Sequence, residues 1–77
     1  MKLVGYPKEN EDQIIDLLEM TLIADVQELR SLAKYLEKCA EEMEADPEGW
    51  EHSHYSDEID FRSEGREDVI VYNPSKL

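Results

Sequence analysis

Seventy-seven residues make one domain, spanning 1–77, and a core of that size supplies only about 3–5 kcal/mol of net stability unaided. Twenty acidic residues against eight basic ones leave a net charge of −12, which repels nucleic-acid phosphate and anionic lipid and favours either a basic protein partner or simple solubility. A single cysteine excludes an internal disulfide, no run approaches the ~18 apolar residues of a membrane span, and the start, MKLVGYPKEN, lacks the apolar region of a signal peptide. The expectation is a cytoplasmic protein that gains its missing stability by self-association, as a homodimer.

In chain order, MKLVGY predicts an outer strand ending at Gly5-Tyr6-Pro7, and PKENEDQ (7–13) a polar turn. Ile14–Leu18 suits a strand or a helical turn. LLEMTLIA (17–24) reads as a strand, with Leu18, Met20, Leu22 and Ala24 on one face and Leu17, Glu19, Thr21 and Ile23 on the other.

The longest element is an amphipathic helix over Asp25–Asp46. Val26, Leu29, Leu32, Ala33, Leu36, Cys39, Ala40 and Met43 recur at steps of three and four. Asp25 with Glu28 forms an acidic capping box at its start, and Asp46, preceding Pro47, is driven out of helical geometry at its end. Leu29, Leu36, Ala40 and Met43 are expected to pack on Leu18, Met20 and Leu22.

Pro47-Glu48-Gly49 is a turn, and Trp50–Glu58 a polar strand. DEIDFRSEGRED (57–68) is a charged loop, and Val69-Ile70-Val71-Tyr72 a β-branched strand stopped by Asn73-Pro74. The helix returns the third strand parallel to the second, so a fourth strand slotted between them makes every neighbouring pair antiparallel. The expected fold class is α+β: a four-stranded antiparallel sheet, β-β-α-β-β in spatial order 1-2-4-3, with one long helix on one face. The most apolar strand lies at the centre, the polar Glu51–Ser56 at an edge.

Chemistry-bearing patterns are sparse. His52 and His54, two apart on a strand, point the same way and are candidate metal ligands with Asp57 or Asp60 as an oxygen donor. No third ligand has recognisable spacing, so no tight metal site is expected. Cys39 stands on the helix stripe among Glu37, Glu41 and Glu42, which disfavour its thiolate, so it reads as a core residue. The isolated Gly5, Gly49 and Gly65 build no phosphate loop, and Ser53, His54 and Asp57, adjacent on one strand, cannot assemble a triad. Neither enzyme chemistry nor a cofactor is expected.

The order LLEMTLIAD, VQELRSLAKYLEKCAEEME, WEHSHYSDE and EDVIVYNP resembles a family of small bacterial proteins with an H-x-H strand and a closing D-[IV]-I-V-x-N-P. Some of its members are grouped with the predicted immunity proteins of polymorphic toxin systems. The likeness runs from Leu17 to Pro74 and marks His52, His54, Asp68 and Asn73. It implies an α+β fold and a toxin-neutralising role, and it carries over no catalytic residue.

The acidity is unevenly spread: residues 37–68 hold thirteen acids and three bases, whereas residues 1–36 hold seven and four. The functional expectation is therefore a non-enzymatic binding protein, an immunity protein that covers a basic toxin surface. Glu48, Glu51, Asp57 and Glu58 supply charge, and Trp50, Tyr55 and Phe61 apolar anchors. Leu17, Ile23 and Tyr35 are the expected dimer contacts. The alternatives are a metal-binding protein using His52 and His54, or a structural homodimer or subunit without a ligand.

Overall fold

A computed structural model describes residues 1–58 and 67–77. The elements are β1 (Leu3–Gly5), β2 (Ile15–Leu17), α1 (Val26–Ala45), β3 (His52–His54), α2 (Tyr55–Glu58) and β4 (Ile70–Tyr72), closed by a 3-10 turn at Pro74–Lys76.

Helix α1 begins and ends where its sequence signals stand. Asp25 Oδ1 accepts from the Glu28 backbone N–H at 2.8 Å, and Glu28 Oε1 accepts from the Asp25 N–H at 3.1 Å, completing the capping box. At the other end the Asp46 N–H donates to the Glu42 carbonyl at 3.1 Å. The Asp46 carboxylate then accepts from the Gly49 N–H at 3.0 Å, and the Asp46 carbonyl from the Trp50 N–H at 2.9 Å, which turns the chain toward β3. A Cβ at Gly49 would come within 2.8 Å of the Asp46 carboxylate carbon, so a side chain there would push that carboxylate off the residue-49 N–H it caps.

The strands form two separate antiparallel pairs rather than one sheet of four. β1 pairs with β2 (Leu3 opposite Leu17) and β3 with β4 (His52 opposite Tyr72). Both outer neighbour relations of the expected 1-2-4-3 order are present, but the central 2–4 pairing is not. The physical reason lies in where β2 falls. The first strand claims Ile15–Leu17 as its partner, and LLEMTLIA beyond Leu17 runs on to the helix cap without strand or helix structure. Its period-2 pattern has no neighbouring strand to pair with among the described residues. Likewise the third strand is cut at His54, where the backbone coils into α2, and β4 has one neighbour and no central position.

The helix is also turned relative to the expected packing. The buried residues on α1 are Tyr35 and Cys39, which cluster with Tyr55 and with the partly buried Leu32, Trp50, Val69 and Val71. Leu29 and Leu36 stay 46% and 45% exposed, Ala40 is exposed and Met43 is half-buried. Their expected partners Leu18, Met20 and Leu22 stand in solvent, Leu18 at 99%. Two short strands are narrower than the apolar arc of α1, so the hairpin covers one edge of it. Tyrosine wins that edge because its ring fills the space and its hydroxyl can satisfy the strand backbone. Tyr35 Oη donates to the Ser53 carbonyl at 2.8 Å, Tyr55 Oη donates to Ser31 Oγ at 2.6 Å, and the two rings lie 4.8 Å apart at a tilt of 40°.

Burial pushes the Tyr35 hydroxyl up to about 12, with Cys39 adding to the rise against the opposing bond to Ser53. Because the folded value is raised, this contribution is complete below the ordinary tyrosine value of about 10 and is lost as pH rises through about 12. Tyr35→Phe is expected to cost about 1 kcal/mol at neutral pH, yet to lose less stability than the natural chain between those two pH values. Urea unfolding across the alkaline range checks it.

Candidate functional site

The residues singled out in the sequence gather on the β3–α2–β4 unit, and most of them hold it together. Asn73, just past β4, is 4% exposed. Its amide nitrogen donates to the Pro47 carbonyl at 2.9 Å and to the Trp50 carbonyl at 2.8 Å, while its Oδ1 accepts from the Ser75 N–H and hydroxyl at 3.1 and 3.0 Å. Its own N–H donates to the Glu51 carbonyl at 2.8 Å. One side chain thus pins the end of β4 to the turn that leaves α1.

Asp68 does the same at the opposite end of the hairpin. Its Oδ1 accepts from the backbone N–H groups of Ser56 (2.9 Å) and Val69 (2.8 Å). Its Oδ2 accepts from the Ser56 hydroxyl (2.9 Å) and His54 Nδ1 (3.2 Å). Burial alone would raise this carboxyl, but the bonds from Ser56, His54 and Val69 outweigh it and hold it below the usual carboxylate range. A carboxylate from a distant part of the chain thereby caps the four-residue α2. Ser56 and Ser31 are partners that sequence reading passes over, since their roles exist only once the chain is folded.

The two histidine rings lie on the same side of β3, edge to face at 5.3 Å, but take different partners. His52 Nδ1 lies 3.0 Å from Glu51 Oε1 and its ring stacks on Tyr72, 5.3 Å away and nearly parallel at 5°. His54 is held by Asp68. Among the described residues no three side chains of metal-ligating type converge. Asp57 stands exposed on α2, and Asp60 lies outside the described residues.

Of the expected partner-binding residues, Glu48, Glu51 and Asp57 are exposed. Glu58 is drawn into an ion pair with Lys38, which also reaches Glu42 at 3.9 Å. Trp50 is half-buried against the core, its Nε1 donating to Glu42 Oε1 at 3.1 Å, and Tyr55 is buried inside the core. Phe61 lies outside the described residues. Of the expected dimer contacts, Ile23 is 95% exposed and Leu17 partly so, whereas Tyr35 is buried in its own chain. The described residues contain no helix long and apolar enough to cross a membrane.

A small α+β unit with a polar-pinned hairpin and a long acidic helix is thus the class of protein at hand. The sequence profile of the immunity protein 32 family matches residues 19–74, and the chain belongs to that family. The match takes in α1, the hairpin and Asn73, and leaves β1 and β2 outside it. No curated protein and no solved structure matches the chain.

Two substitutions test the pins. Asn73→Ala is expected to cost about 1–3 kcal/mol for buried carbonyls left unpaired, and Asn73→Asp more, since it aims a carboxylate at two carbonyl oxygens; urea midpoints give both. For Asp68, whose folded value is depressed, the contribution is present above the unfolded value of about 3.9 and lost as pH falls through the folded one. The natural chain should therefore lose more stability between about pH 6 and pH 3 than Asp68→Asn does, read by the same denaturation.

Proposed function

We propose that this protein neutralises a toxin by stoichiometric binding, without catalysis, and that the surface it covers is basic. Membership of an immunity protein family supports the toxin as partner. The observation that carries the basic character is the charge left over after internal pairing. Between Glu37 and Glu58 nine acids accompany one base, Lys38, and that base is already held by Glu42 and Glu58. Glu48, Glu51 and Asp57 remain exposed beside the end of α1 and the hairpin, Glu51 bonded to the His52 ring but to no lysine or arginine, and residues 39–58 hold no such base to offset them. A field of one sign steers a partner of the other and speeds its capture, an effect that salt weakens. The half-buried Trp50 adds an apolar surface at the same place. A cytoplasmic site of action fits the single, buried, unpaired cysteine.

The test is to co-express the chain with the toxin-like product of an adjacent gene and to reverse Glu48, Glu51 and Asp57 to lysine. Glu58 is left alone because it pairs with Lys38. The expected result is loss of protection, with association slowed roughly tenfold or more at low salt. Protection that survives the reversal would sink the acidic surface as the binding site.

A further inference from the structure

The face of α1 that the hairpin leaves uncovered has a regular composition of its own. Val26, Leu29, Ala33, Leu36, Ala40 and Met43 follow one another at steps of three and four, which are the a and d positions of a heptad. All are exposed except the half-buried Met43. The core residues Leu32 and Cys39 flank this stripe on the side of the hairpin, and Arg30, Glu37 and Glu44 flank it on the other. Arg30 enters no ion pair among the described residues.

We propose that this stripe is a homodimer interface, in which α1 packs antiparallel against α1 of a second copy about a two-fold axis between Ala33 and Leu36. Two independent features select a second copy as the occupant. The first is size. From Leu29 to Met43 large and small residues alternate along the stripe, and in this register Leu29 meets Ala40 of the partner subunit while Leu36 meets Ala33 of the partner subunit. Each leucine then faces an alanine, and the pairing repeats itself under the two-fold. The second is charge. In an antiparallel pair the flanking positions after each d residue face one another, so Arg30 meets Glu37 of the partner subunit and Glu37 meets Arg30 of the partner subunit. A parallel pair would instead set Glu37 against Leu32 of the partner subunit, with no cation to meet it. Dimerisation also covers Leu29 and Leu36, which the described residues leave half-exposed in the middle of the helix. It answers the shortage of core in so short a chain without a disulfide or a metal. The stripe is separate from the exposed acids at Glu48, Glu51 and Asp57.

Sedimentation velocity of the full chain at micromolar to tens of micromolar concentration tests it, with circular dichroism to confirm folding. A species of about 18 kDa, twice the 9.0 kDa chain, is expected. Arg30→Glu, an exposed change, should raise the dissociation constant about tenfold, and so should Glu37→Arg. The double variant Arg30→Glu, Glu37→Arg should restore the natural value, because the pair is merely exchanged. A chain of about 9 kDa over the whole range overturns the proposal. So does a dimer indifferent to both single reversals, or a stripe whose amides gain protection from exchange only when a toxin domain is added.

Discussion

The side chain of Asn73 is the contact on which the rest of this structure depends. It joins three stretches that are far apart in sequence: the turn leaving α1, the entry to β3 and the exit from β4. Each of those stretches ends in backbone carbonyls or N–H groups that no regular element satisfies, and buried backbone groups must be satisfied somewhere. An asparagine amide answers them because it carries two donors and an acceptor on one rigid plane. With that end closed, β3 and β4 can lie as a pair against α1. Asp68 closes the other end of the pair through Ser56 and His54. Among the described residues the hydrophobic core between them is three buried side chains with a rim of half-buried ones. The specificity of the fold therefore rests on polar clamps at its margins as much as on apolar burial.

The same arrangement explains why His52 and His54, the most metal-like pattern in the chain, take structural positions. One ring stacks on Tyr72 and the other serves Asp68. In a domain this small, polar side chains that larger proteins reserve for chemistry are used to fasten strands together.

The helix was legible almost to the residue, because its signals are local. A capping box and an Asp-Pro stop act within four residues and do not wait for tertiary structure. The closing strand and its asparagine were legible too, through β-branching and the proline that follows. What could not be read was which part of the apolar arc of α1 would be covered. Periodicity gives the arc, but its covered portion depends on sheet width, and sheet width on whether LLEMTLIA finds a strand to pair with. Among the described residues it finds none, so Leu18, Met20 and Leu22 stay outside and the centre of the core moves to Tyr35 and Cys39. Tyr55 was misplaced for the same reason. Expected on a polar strand as an anchor for a partner, it instead begins a helical turn and packs its ring against Tyr35. The proposed binding acids stand out in the sequence as charge and not as geometry: all four are exposed, and the ion pair with Lys38 is what sets Glu58 apart from Glu48, Glu51 and Asp57.

The last turn of α1 carries no basic residue, and Glu44 and Asp46 stand at its close. The carbonyl end of a helix bears roughly half a negative charge, which a lysine there would settle and a carboxylate aggravates, each such placement being worth about 0.3–1 kcal/mol. The chain thus keeps an electrostatic tension at this end that a single substitution would relieve. On the proposed reading, an arginine or lysine arriving from outside relieves it instead. Folding and recognition are then thermodynamically linked: a chain engineered for greater stability by a lysine at Glu44 would give up part of the free energy with which it meets its partner.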